Sequence, residues 1–291
     1  MCKFPPAKQH FVRTGLAFQS NIRAQADDLP REPSAWVRLA QFHPVSEIQF
    51  RQHAAIITHD IILKLPGKFQ ATEESPFMLN LSPSLLFSRI ITLILALTIH
   101  EFAHAFVAFR FGDTTARDAG RLTLNPLKHL DPIGSLMLLV AGFGWAKPVP
   151  INPYTLRRRA DSAVMWVSLA GPASNLLMAI LAGFVLRLRI FPWVASGGFL
   201  PSTAEFLFTF MTINLVLMLF NLIPLAPLDG EKVLENLLPK GWSDTFASIQ
   251  RYGPILLLVL LFVLPMVGID IISWIMTPAL TQIQKILLGV S

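Results

Sequence analysis

Residues 100 to 104 read His-Glu-Phe-Ala-His, and they lie inside an apolar run, Leu85 to Phe109, long enough to cross a bilayer. On a helix, two histidines four residues apart stack on one face and can bind one zinc ion together. Glu101 then lies about 100° round the helix, beside the chemistry at that ion. Two imidazoles and a carboxylate at membrane depth cost on the order of several kcal/mol unless they are paired or metal-bound, so the segment reads as a functional site. A second signal comes from residues 221 to 230, Asn-Leu-Ile-Pro-Leu-Ala-Pro-Leu-Asp-Gly, which end another apolar run. Its two prolines remove backbone donors and force the chain out of helical geometry. Such a break at membrane depth is tolerated where protein or a water-filled cavity satisfies the freed carbonyls. Asp229 is well placed there as a third ligand. Two histidines and a carboxylate leave a fourth tetrahedral position open, as expected of catalytic rather than structural zinc.

The elements that must position these residues are membrane helices. The 291-residue chain is 53% hydrophobic and 14% charged, with a mean hydropathy of +0.54, where a soluble domain carries about a quarter charged residues. Its net charge of +6 sits in short loops between apolar stretches, which is how topology is written and not how a nucleic-acid surface is built, so no nucleic-acid partner is expected. Cys2 is the only cysteine, which leaves His, Asp and Glu as metal ligands. The spans begin at about Leu85 to Phe109, continue with Ala163 to Leu186 and Phe206 to Leu228, and end with a segment from Gly253 that Pro265, Gly268 and Asp270 interrupt. Ile133 to Ala146 is too short for a comfortable crossing and reads as re-entrant. The expected fold is an all-α polytopic membrane protein of about four transmembrane helices with a short re-entrant segment and a small β-hairpin.

Residues 1 to 77 are a different kind of sequence. The first 80 residues hold 9 of the 24 Lys/Arg, 7 of the 18 Asp/Glu and no run able to span a bilayer. They read as a poorly ordered extension or a mis-called start ahead of Met78, with residues 78 to 291 as the functional domain. The other histidines, His10, His43, His53 and His59, fall in this region without ligand spacing and receive no role. Arg110, Arg117, Arg121 and Lys128 follow the first span, and Lys147 with Arg157, Arg158 and Arg159 precedes the second. By the positive-inside rule both loops are cytoplasmic, which brings His100, His104 and Asp229 to one side of the membrane. Arg187 and Arg189 count against that topology. His129 and Asp131 read as turn chemistry near the surface, and Asn214 and Asn221, seven residues apart on one helical face, read as interhelical hydrogen-bonding groups.

From about Met78 the chain resembles the site-2 protease family of intramembrane zinc metalloproteases, in a short form without an inserted PDZ or CBS domain. The motifs match in order: HEFAH at 100 to 104, GRLTLNPLKHLDPIGS at 120 to 135, GWAKPVPIN at 144 to 152, AGPASN at 170 to 175 and FNLIPLAPLDG at 220 to 230. The resemblance implies one Zn2+ held by His100, His104 and Asp229, with Glu101 as catalytic base. It also puts Asn175 near the site, where it would hold substrate backbone or stabilise an oxyanion. The substrate would be a transmembrane helix that must unwind locally to expose a carbonyl, and Gly142 to Asn152 would pair with it as a strand. The implied setting is a lipid bilayer, the plasma membrane of a prokaryote, with the site towards the cytoplasm. Two rivals remain open at this stage. A transporter or channel would use the same His and Asp residues as an ion path, and a membrane protease of the kind that trims prenylated proteins would draw its third ligand from Glu231 or Glu235.

Overall fold

The structure, a computed structural model, describes residues 82–134, 145–191, 199–239 and 241–290. The extension of residues 1 to 77 and most of the predicted re-entrant stretch lie outside the described residues. Helix α1, Pro83–Arg110, starts with Pro83 in its first turn and the Ser82 hydroxyl accepting from the Leu85 N–H. This is the preferred chemistry for a helix N-terminus. Ser84, Ser88, Thr92, Ala96, His100, His104 and Ala108 follow at every fourth position and all are buried. That ridge is made of small side chains except at the two histidines, so neighbouring helices approach closely along it.

After α1 the chain folds back over its own end. Short helix α2, Thr115–Asp118, and α3, Pro153–Arg159, are joined to it by Asp113. This aspartate is 1% exposed and accepts from the N–H groups of Thr115 at 3.0 Å and Asn152 at 2.6 Å. The Arg121 guanidinium donates to the carbonyls of Lys128 and Lys147, and Leu130 bridges Ala146 as an isolated antiparallel pair. Among the described residues that bridge is all there is of the expected hairpin. Its partner residues from 135 to 144 lie outside the described residues.

Helices α4, Ala163–Arg187, and α5, Thr203–Asn221, complete the bundle, and α4 packs against both α1 and α5. A capping box formed by Ser202 and Glu205 starts α5, satisfying two N-terminal donors reciprocally. Then follow α6, Asp229–Leu237, which lies against α4, α7, Ser243–Gln250, α8, Gly253–Met266, and α9, Ile271–Leu288. Helices α7 and α8 are bent by 58° relative to each other. Among the described residues, α1, α4, α5 and α9 are long and apolar enough to cross a membrane, with α7 and α8 together as a further broken span or a re-entrant loop.

The fourth apolar segment is thus two helices. Gly268 has a φ of 83°, a left-handed conformation that glycine supplies without a Cβ penalty, and the Asp270 carboxylate caps α9 by accepting from the Ser273 N–H. Asp270, which interrupts the apolar run in the sequence, is thus the N-cap of α9. Arg187 also finds its explanation: a Cβ added at Gly289 would meet its Nε at 2.9 Å, so its guanidinium lies at the C-terminus of α9, where a cation is favoured.

Candidate metal centre

The side chains of His100, His104 and Asp229 converge inside the bundle, with one ligand atom of each within 4.8 Å of the others. His100 Nε2 and His104 Nε2 are 3.0 Å apart. The Asp229 Oδ2 lies 3.2 Å from the first and 3.3 Å from the second. Four ligands about 2.0 Å from a tetrahedral ion are about 3.3 Å from one another, so this triangle has the edge lengths of one face of a zinc tetrahedron.

Hydrogen bonding decides which atoms carry lone pairs. The Val167 carbonyl accepts at 2.7 Å from His104 Nδ1, which must therefore carry its proton. His100 Nδ1 faces Asn175 Oδ1 at 2.7 Å, and the orientation of that amide is fixed from behind. Asn214 Nδ2 can only donate to the Phe210 carbonyl, at 2.8 Å. That turns Asn214 Oδ1 towards Asn175, whose Nδ2 donates to it at 3.1 Å and whose Oδ1 is left to accept from His100. Both imidazoles thus carry hydrogen on Nδ1 and aim unprotonated Nε2 atoms at each other and at a carboxylate oxygen.

Three lone-pair-bearing atoms about 3 Å apart repel unless a cation sits among them. Asp229 Oδ2 is buried without a hydrogen-bond partner, the orphan that such a cation satisfies. The donor set fits one zinc ion.

The backbone leaves room for it. Gly171 on α4 faces both rings, and a Cβ there would stand 2.6 Å from His100 Nε2 and closer still to His104 Nε2. The next residue is Pro172, inside the helix, where the missing N–H loosens the ladder beside the Val167 carbonyl that holds His104. Glu101, one position round α1 from His100, is 9% exposed and close enough to His104 to act on it electrostatically.

Asp229 reaches the site because α5 stops at Asn221 and α6 starts at Asp229 itself. The first turn of α6 backs onto the end of α5, so that a Cβ at Gly230 would stand 2.5 Å from the Ile223 carbonyl oxygen. Only glycine follows the aspartate without a clash. An anionic side chain in the first turn is also favoured by the helix dipole.

The remaining sequence-derived candidates fall elsewhere. Glu231 pairs with Lys232 at 2.9 Å and Glu235 with Arg157 at 3.4 Å, so neither glutamate joins the imidazoles and the prenyl-trimming arrangement finds no support. Asn221 donates to its own helix at the Leu217 carbonyl. Asn214, read as interhelical hydrogen bonding, is that and also the anchor of the Asn175 amide. Asp131 accepts from the N–H groups of Ile133 and Gly134, the expected turn chemistry, whereas His129 is fully buried with Nε2 on the Thr123 carbonyl at 2.7 Å.

Comparison with known proteins agrees with this chemistry. The profile of peptidase family M50 matches residues 198–263, which carry Asn214, the double-proline break and Asp229. The chain is 46% identical over 191 residues to "Putative zinc metalloprotease YwhC" of Bacillus subtilis (strain 168), covering 65% of this chain and 84% of that protein. Proteins of the same description named Rip2 are 37% identical over 174 residues in Mycolicibacterium smegmatis and 35% over 182 residues in Mycobacterium tuberculosis (strain H37Rv). The chain spans 64% and 63% of those two, just under two thirds of their length. No solved structure matches significantly. With four helices able to cross a bilayer and these relatives, the chain is an integral membrane protein and belongs to peptidase family M50, the site-2 protease family of zinc metalloproteases.

Proposed function

We propose that the chain is a zinc-dependent intramembrane endopeptidase that hydrolyses peptide bonds in or beside transmembrane segments of membrane-protein substrates. The observation that carries this reading is the triangle of His100 Nε2, His104 Nε2 and Asp229 Oδ2, its two histidines on a helix long and apolar enough to span the bilayer. In this reading those three atoms hold zinc. Bound there, zinc supplies Lewis-acid chemistry, polarising a peptide carbonyl and making water acidic enough to attack at neutral pH. Glu101 takes the proton from the attacking water and returns it to the leaving amine. No hydrogen bond from the described residues occupies its carboxylate, which leaves it available for that proton. The substrate helix unwinds near the site, because a helix hides its carbonyls in its own hydrogen bonds.

The site faces the cytoplasm in this proposal. His104 is six residues, about 9 Å along the axis, from Arg110 at the end of α1, and the ion pair of Arg157 with Glu235 joins the basic loop to α6, the helix that begins with Asp229. A basic surface beside the site matches the positive-inside rule in a bacterial plasma membrane.

The test is cleavage of model transmembrane peptides by the purified full chain in lipid, with cut sites mapped by mass spectrometry. Cuts inside the apolar segment that cease on chelation and return with zinc are the expected result. A chain that holds one zinc, cuts none of the peptides and carries zinc across vesicle membranes would instead be the transporter.

Asn175 is proposed as a positioning residue for His100, since both ends of its amide are already engaged. Asn175→Ala is expected to weaken zinc binding about 10- to 100-fold, the usual effect of losing a partner behind a metal-bound histidine. Asn175→Asp, which keeps an acceptor, should retain most of the affinity. Unchanged zinc affinity in Asn175→Ala with a fall in kcat alone would return Asn175 to the oxyanion role.

A further inference from the structure

Asp229 is delivered by an irregular segment, and a side chain from another helix holds that segment in place. Gln250, the last residue of α7, is 7% exposed. Its Oε1 accepts from the Ala226 N–H at 2.7 Å and its Nε2 donates to the Pro224 carbonyl at 2.9 Å. Prolines at 224 and 227 deny residues 222 to 228 a helical ladder, so the Ala226 N–H and the Pro224 carbonyl, both in part-buried hydrogen bonds, find their partner in this side chain. The carboxamide satisfies a donor and an acceptor two residues apart at once. The start of α8 closes against the same point: a Cβ at Gly253 would stand 2.7 Å from Ala226 Cβ.

We infer that Gln250 is a positioning residue for the reaction, setting the Pro224–Ala226 backbone and through it the approach of Asp229 to the imidazoles. The inference rests on the reading of Asp229 as the third zinc ligand. His100 and His104 are held independently, by Asn175 and by the Val167 carbonyl on α4, so loss of Gln250 reaches the metal through Asp229 alone.

A thermodynamic cycle isolates that route. Zinc affinity of the full chain in lipid is measured by competition with a chromophoric chelator for wild type, Gln250→Met, Asp229→Ala and the double variant. Gln250→Met keeps length and apolar bulk and removes both hydrogen bonds. It should bind zinc on the order of tenfold more weakly than wild type, and the same change made in Asp229→Ala should leave the residual two-histidine affinity unaltered. Gln250→Glu keeps the acceptor for Ala226 and loses the donor to Pro224, so it should fall between wild type and Gln250→Met, and it carries the same cycle if Gln250→Met does not fold. Undiminished affinity in the single variants, or an equal loss in both backgrounds, overturns the role. An Asp229→Ala chain with wild-type zinc affinity is a different failure, because it removes Asp229 from the ligand set and the Gln250 inference with it.

Discussion

Glu101→Gln is expected to abolish peptide hydrolysis while leaving one zinc per chain. The substitution preserves the shape and the burial of the side chain and removes only its capacity to take a proton. The ligand atoms proposed for zinc are on His100, His104 and Asp229, so metal content should not change. Loss of a positioned general base costs about 10²- to 10⁴-fold in rate, enough to take the cleavage of a transmembrane peptide to background. Zinc stoichiometry by elemental analysis and cleavage by mass spectrometry, on the same preparation, check the two halves. The pairing matters because hydrolysis lost with zinc retained marks a missing base, an outcome that an ion path without hydrolysis would not give. If the variant bound zinc normally and still cut at the wild-type rate, Glu101 would not be the base, and another carboxylate near the imidazoles would have to be found. Loss of zinc in Glu101→Gln would make Glu101 a structural partner of the metal rather than a base.

The histidine pair was legible in the sequence because both ligands sit four residues apart on one helix, and helical geometry alone brings them together. Asp229 was legible for a different reason: two prolines within four residues announce a break, and the carboxylate stands at its end. The distance of 125 residues between His104 and Asp229 could be closed on paper only through topology. Their meeting fits the arrangement in which Ile133 to Ala146 does not cross, although that stretch itself lies mostly outside the described residues. The supporting groups were hidden. Asn175, Asn214 and Gln250 act through hydrogen bonds to residues 75, 39 and 24 to 26 positions away, and an amide in an apolar run gives no sign of which way it turns. Gly171 was visible only as a small residue before a proline, since nothing local reveals that two imidazoles will face it. For the segment from Gly253 the interruption at Pro265, Gly268 and Asp270 is legible in the sequence, but hydropathy continues across Gly268 and does not reveal that the backbone there turns left-handed and that Asp270 starts a new helix.

Gly171→Ala is expected to empty the centre of zinc although the protein still folds. The added methyl would enter the space between the two rings, at 2.6 Å from His100 Nε2 and nearer to His104 Nε2, distances that no relaxed contact tolerates. The rings cannot yield cheaply. Each is tied at Nδ1, one to Asn175 and the other to the Val167 carbonyl on the same turn of α4 as the intruding methyl. Either a ring swings off its hydrogen bond and loses its aim, or α4 withdraws and carries Val167 and Asn175 with it. Both outcomes scatter the ligand triangle, so the loss of zinc affinity should exceed the roughly 100-fold upper end seen for indirect partners. The cost in stability should stay near the ~1–3 kcal/mol of an overpacked core. Gly183, three turns further along α4, supplies the control. A Cβ there would meet Leu287 Cβ at 3.0 Å and Met211 Sδ at 3.1 Å, so the methionine must turn and α9 give by a few tenths of an ångström, both away from the metal. Gly183→Ala should therefore lose some stability and keep its zinc. A Gly171→Ala chain with full zinc affinity would mean that the metal does not lie between α1 and α4, and the triangle of His100, His104 and Asp229 would not be its seat.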